Sequence, residues 1–293
     1  MTHSPRPRVV VVDGIPMSAL VSQAQNPRAV IVAVHGGATS SAYFDCPGNP
    51  HLSLLRTAAA RGFTAIARDR PGYGTSAVYS REYSDANRRV AAAFGAVDKI
   101  LANADRGAGL FLVGHSAGCE LALRMATTRP DIIGIEVAGT GLRYSPTAKA
   151  IISEATVTSR PAGLRDLLWQ PLELYPADVL TSALSATGAA YEVEVTANWT
   201  RRDFPEIAAR VRVPVGFSVG DHEKVWESTP EAVAAITALF TAAPMVRVNE
   251  MADSGHNLSV GLTADRYHQT VLSFIEERIA DARGRDPEQV EAS

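Results

Sequence analysis

Leu110-Phe111-Leu112-Val113-Gly114-His115-Ser116-Ala117-Gly118-Cys119 is the stretch on which the reading of this chain turns. Its first four residues are a continuous apolar run and read as a buried strand, and Ser116–Thr128 reads as a helix that stops before Pro130. Between them lies a Gly-x-Ser-x-Gly pattern, Gly114-His115-Ser116-Ala117-Gly118. A serine at a sharp strand-to-helix turn takes a strained backbone conformation. Flanking glycines let strand and helix approach closely, and the hydroxyl then stands exposed above the sheet. The helix N-terminus beneath adds potential that favours developing negative charge. A glycine-bracketed serine is also an ordinary helix N-cap, so the pattern acquires meaning only through partners elsewhere in the chain.

Outward from this turn, short β-branched runs alternate with longer helical patterns, which predicts a mostly parallel sheet of about eight strands with helices on both faces. Arg8–Val12 and Met17–Ser22 flank Asp13-Gly14 and read as an antiparallel hairpin. Ala29–Val34 is apolar throughout, as expected of a strand buried on both faces. Phe63–Ala67, Leu110–Val113, Ile132–Ala138, Val213–Val219 and Met245–Asn249 complete the strand set. Helices are expected over His51–Arg61, Ser84–Ala104, Pro230–Phe240 and Ala264 to about Ala282, with a charged, frayed tail over Gly284–Ser293. The rhythm breaks over 141–210, which is rich in turn prolines and exposed-looking aromatics (Trp169, Tyr175, Tyr191, Trp199). The simplest organisation is one α/β core, residues 1–140 and 211–293, with 141–210 inserted as a helical cap.

The balance of 28 basic against 31 acidic residues, with no long run of either sign, argues against a nucleic-acid or anionic-membrane surface. No apolar run approaches the roughly 20 residues that span a bilayer, and the polar start has no signal-peptide core, so a cytoplasmic protein is expected. Cys46 and Cys119 form neither a disulfide framework nor a metal motif, and no metal or organic cofactor is expected.

A neutral serine hydroxyl needs a base within hydrogen-bond reach. His256, in Asp253-Ser254-Gly255-His256-Asn257, follows the last strand and falls on the rim that carries Ser116. His35 and His115 abut strand ends and read as structural or pocket-lining; His3, His51 and His268 read as surface residues. The base in turn needs a carboxylate to fix its tautomer. Asp221, directly after Val213–Val219, is the first choice and Glu223 the second. Oxyanion donors are expected from the Ala117 amide and from His35-Gly36-Gly37-Ala38, with Gly37 preferred and Ala38 second. His115, Trp169, Tyr175 and Trp199 are candidate substrate contacts, although aromatics at helical spacing serve packing more often than binding.

Together, His35-Gly36-Gly37, Asp69-Arg70-Pro71-Gly72-Tyr73-Gly74-Thr75-Ser76, Gly114–Gly118, Gly220-Asp221 and Gly255-His256 resemble the α/β-hydrolase superfamily over nearly the whole chain. The resemblance implies a serine-nucleophile member with a helical lid over 141–210, and the order Ser116, Asp221, His256 fits it. Ala38 departs from the third glycine of the His-Gly-Gly-Gly pattern of hormone-sensitive-lipase-like esterases. Ser116 departs from the aspartate nucleophile of dehalogenases and epoxide hydrolases of this fold. What the resemblance implies is carboxylic-ester cleavage through an acyl-serine intermediate, and the aromatics of 141–210 suggest a small-to-medium, partly apolar substrate. Thioesterase, lactonase, carbon–carbon hydrolase, acyltransferase, lyase and non-catalytic binding readings stay open, as does the oligomeric state.

Overall fold

Residues 4–154, 163–181 and 184–283 are described by the computed structural model of the chain. Eight strands occur among them: β1 (Arg6–Val12), β2 (Ile15–Ser22), β3 (Val30–Val34), β4 (Thr64–Arg68), β5 (Leu110–His115), β6 (Ile132–Ala138), β7 (Val215–Gly220) and β8 (Val246–Met251). They form one sheet in the order β1-β2-β4-β3-β5-β6-β7-β8. Strand β2 runs antiparallel to β1 and β4, and every other pairing is parallel. Asp13 and Gly14 both take positive φ, the backbone that a two-residue hairpin demands, and set Val12 opposite Ile15. The central strands β3, β4 and β5 are buried along their whole length, which is why β3 and the first four residues of β5 read as unbroken apolar runs.

The helices of the sheet layers are α1 (Leu54–Ala60), α2 (Ala86–Leu101), α3 (Gly118–Ala126), α9 (Pro230–Thr237) and α10 (Ala264–Arg283). On one face Val32, Leu112, Ile135 and Phe217 share a core with Val97 of α2 and Leu121 and Met125 of α3. On the other, Ile31, Phe111 and Val113 meet Leu55 of α1 and Leu272 and Ile275 of α10. Each such side chain, fully buried, contributes about 1.5–3 kcal/mol relative to leaving it in water. Ser53, Asp85 and Thr229 cap α1, α2 and α9 by accepting the N–H of Arg56, Arg88 and Ala232. Ser53 therefore divides the helix expected over His51–Arg61, its first turn being a separate 3-10 turn at Pro50–Leu52. A buried ion pair, Arg89 to Glu120 at 2.8 Å, ties α2 to α3. His268, expected at the surface, is fully buried in α10; the α10 core face closes over it. His3 and the tail at 284–293 lie outside the described residues.

Between β6 and β7 the chain forms short helices: α4 (Pro146–Ser153), α5 (Leu164–Leu168), α6 (Ala177–Thr181), α7 (Glu192–Asn198) and, after a π turn, α8 (Phe204–Ala208). Residues 155–162 and 182–183 of the expected insertion lie outside the described residues. The segment is anchored on loops at the carboxyl ends of the strands. Ala186 N–H donates to Ala38 O at 2.9 Å, Tyr191 hydroxyl to Pro71 O at 2.8 Å and Trp199 Nε1 to Thr140 Oγ1 at 2.9 Å. Tyr175, Tyr191 and Trp199 are 4–5% exposed. The exposed look of these aromatics came from their polar neighbours in sequence, whereas in space they face the core.

Candidate active site

Strand β5 ends at His115, and Ser116 follows with φ +51°, left-handed for a residue that carries a side chain. The turn is held by Ser116 N–H donating to Ala138 O at 2.8 Å and Cys119 N–H donating to Ser116 O at 2.9 Å. The flanking glycines are sterically required. A Cβ on Gly118 would lie 2.3 Å from Val34 O, and one on Gly114 would lie 2.9 Å from Ala122 Cβ. Helix α3 has no side-chain cap at its start, so the Ala117 amide there stays available for an anion.

His256 lies in the loop between β8 and α10 and is 1% exposed. Its Nε2 is 3.1 Å from Ser116 Oγ. Its Nδ1 is 3.1 and 2.9 Å from the two oxygens of Glu223. With Nδ1–H donating to that carboxylate, Nε2 is left as the acceptor facing the serine hydroxyl. His115 fixes the other side of the loop: its Nε2–H donates to His256 O at 3.0 Å, and Tyr43 stacks on its ring at 4.5 Å. Burial foremost, with His256 beside it, pushes the His115 pKa down to about 3, so this imidazole is neutral. Tyr175 hydroxyl accepts Asn257 N–H at 3.2 Å, and Asn257 Nδ2 donates to Leu168 O at 2.7 Å.

The carboxylate that meets His256 is Glu223, not the expected Asp221. Asp221 is 44% exposed in its side chain and accepts Ser254 N–H and Asp253 N–H, each at 3.0 Å. It thereby pins the turn that leads to His256, where Asp253 takes φ +54°. The reason lies in the end of β7. The strand continues one residue past Val219 to Gly220, and Asp221 N–H still donates to Met251 O, which aims the Asp221 side chain at the β8 turn. Glu223 N–H then donates back to Gly220 O at 3.1 Å, a reversal that swings Glu223 inward beneath His256. The Glu223 side chain is 3% exposed. Burial opposes its ionisation, but His256 beside it and the N–H groups of Val225 and Trp226 outweigh burial and hold its pKa below the ordinary value.

Gly37 and Ala117 face each other: a Cβ on Gly37 would lie 3.7 Å from Ala117 Cβ. Neither amide is engaged by a protein acceptor among the described residues. The Ala38 N–H, the second choice, is occupied by Tyr73 hydroxyl at 3.2 Å. Of the expected substrate contacts, His115, Tyr175 and Trp199 are buried with hydrogen bonds to protein partners, so they tie loops together. Trp169 is half-buried and packs edge-on against Tyr175 at 5.1 Å. Among the described residues, no group of three or more His, Cys, Asp or Glu side chains could hold a metal ion, and no helix is long and apolar enough to cross a membrane.

A model of the Alpha/beta hydrolase family matches residues 31–271. The chain belongs to that family. This alpha/beta hydrolase shares its fold with a thermostable carboxyl esterase from Bacillus coagulans, at TM-score 0.68 and 17% identity, over 94% of this chain and 99% of the esterase. E-2-(acetamidomethylene)succinate hydrolase superposes with TM-score 0.66 at 20% identity, covering 93% and 99% of the two chains. An N-acyl homoserine lactonase, solved with N-hexanoyl homoserine lactone, superposes with TM-score 0.67 at 16% identity, covering 93% and 98%. At these identities the likeness carries the fold alone. No curated protein matches the hydrolase in sequence.

Proposed function

We propose that this alpha/beta hydrolase is a serine hydrolase that cleaves a carboxylic ester or lactone of a small acyl compound through an acyl-serine intermediate, with Ser116, His256 and Glu223 as nucleophile, base and acid. The observation that carries this reading is the continuous contact from Ser116 Oγ to His256 Nε2 at 3.1 Å and from His256 Nδ1 to Glu223 at 2.9 Å, built on a left-handed serine.

In the acylation step His256 Nε2 takes the Ser116 proton as Oγ attacks the substrate carbonyl carbon. The oxyanion settles between the Gly37 and Ala117 amides, each worth about 3–4 kcal/mol in the transition state. Glu223 stabilises the imidazolium without taking its proton. The imidazolium then protonates the leaving oxygen, the alcohol of an ester departs while that of a lactone stays attached to the acyl chain, and His256 activates water for deacylation. In the same reading, the helices between β6 and β7 act as a cap over this rim. Their anchors at Ala38, Pro71, Thr140 and Asn257 support that role.

A fluorophosphonate probe tests the nucleophile. Wild type should be labelled on Ser116 and lose turnover of p-nitrophenyl esters, while Ser116→Ala should be neither labelled nor active. Labelling of Ser116→Ala, or undiminished turnover by it, would remove the reading. Product analysis with and without an added alcohol then separates hydrolysis from acyl transfer.

A further inference from the structure

Helix α7 opens with Glu192, a residue far in sequence from every group in the proposed site, yet its carboxylate lies against the oxyanion loop. A Cβ on Gly37 would be 3.6 and 3.7 Å from its two oxygens, about as far as from Ala117 Cβ at 3.7 Å. Glu192 forms a close ion pair with Arg70. Arg70 is 1% exposed, and the same Nη2 donates to Gly36 O at 3.0 Å. Burial works against the Arg70 charge, but the adjacent Glu192 outweighs it and raises the pKa above the ordinary value. The Tyr73 ring lies under the guanidinium at 4.6 Å. Tyr73 hydroxyl accepts Ala38 N–H at 3.2 Å. Ala38 needs such holding, because it sits at φ +54° and carries a side chain. Its carbonyl is held from the same segment, by Ala186 N–H.

We propose that Glu192 is a positioning residue of the oxyanion hole. Through Arg70, which bonds Gly36 O and lies over the Tyr73 ring, it holds the Gly36 and Ala38 peptide groups on either side of Gly37, so that the Gly37 N–H points at the oxyanion. This rests on the reading of Ser116 as nucleophile. Without the Glu192 carboxylate, Arg70 becomes a buried cation compensated only by Gly36 O and the Tyr73 face. Such a group draws in water or turns toward solvent. Either movement releases Gly36 O and lets the Gly37 peptide rotate. Because the oxyanion exists in the transition state and not in bound substrate, the loss falls on kcat and leaves KM near its wild-type value.

The test compares wild type, Glu192→Ala, Glu192→Gln and Ser116→Ala. The readouts are kcat and KM on a p-nitrophenyl ester and the affinity of a trifluoromethyl ketone, which adds to a serine as a tetrahedral oxyanion. Glu192→Ala should lower kcat about tenfold to a hundredfold, leave KM within about twofold, and weaken the ketone by the same factor as kcat. Glu192→Gln keeps a carbonyl acceptor for Arg70 but no charge, and should fall between wild type and alanine. It carries the test alone if the alanine variant does not fold. Wild-type kcat and ketone affinity in a folded Glu192 variant would overturn the proposal, as would a loss confined to KM. Turnover by Ser116→Ala would instead show that the nucleophile assignment itself is wrong, and the Glu192 role would fall with it.

Discussion

Glu136 sits in the middle of β6, fully buried, and among the described residues neither carboxylate oxygen has a hydrogen-bond partner. Burial pushes its pKa from 4.5 up to about 8, and the Ser218 hydroxyl nearby, which favours the charged form, does not compensate. The consequence for stability has a definite sign. Below the unfolded value both states hold the proton and the group contributes no pH dependence. Between the unfolded and folded values the native chain keeps the proton while the unfolded chain releases it, so stability falls as pH rises. The slope is about 1.4 kcal/mol per pH unit, which accumulates to about 3 kcal/mol by neutral pH. Glu136→Gln keeps the shape of the neutral carboxyl and cannot ionise in the unfolded chain. Its extra amide hydrogens, unpaired, cost about 1–3 kcal/mol at every pH, so the diagnostic is the slope and not the offset. Urea unfolding of both proteins, at pH values from roughly 5 to roughly 7, reads it directly. The wild-type curve should fall relative to the glutamine curve by about 1.4 kcal/mol per unit across this window. Parallel curves would refute the buried neutral carboxyl.

The remaining expectations concern the framework. Glu120→Ala should destabilise the fold by about 3–5 kcal/mol, measured by denaturant midpoint, because it strands the buried Arg89 guanidinium. Gly118→Ala, whose new methyl would meet Val34 O and His35 O, should displace α3 from β3 and abolish fluorophosphonate labelling even where the protein remains soluble. Tyr73→Phe removes the acceptor of Ala38 N–H and should lower kcat on p-nitrophenyl esters about tenfold with KM little changed.

The central sheet was legible in the sequence because burial on both faces leaves an unbroken apolar run, as at Val30–Val34 and Leu110–Val113. Edge strand β1 was less so at its start: it begins at Arg6, two residues before the expected Arg8, because the exposed Arg6 and Pro7 carry no apolar signal. The helices between β6 and β7 have five to eight residues each, too few turns for a periodic face to stand out. In the site, Ser116 and His256 could be read because a glycine-bracketed serine and a rim histidine are local patterns. The placement of Glu223 depends on where β7 ends and how the chain reverses at Gly220. Asp221 and Glu223 are two residues apart and chemically alike, and only the hydrogen bonds of that turn tell them apart. Glu192 had no signal at all, since its relation to Gly37 exists only once α7 is docked.

The Ser116–His256–Glu223 relay is tested most directly by kcat/KM on one activated ester for Glu223→Gln and Asp221→Asn, measured side by side. Loss of the buried partner of Nδ1 should lower kcat/KM of Glu223→Gln by about 10³–10⁴-fold. Asp221→Asn, which keeps an acceptor for the β8 turn, should stay within about tenfold of wild type. The opposite ranking, with Asp221→Asn inactive and Glu223→Gln near wild type, would contradict the account.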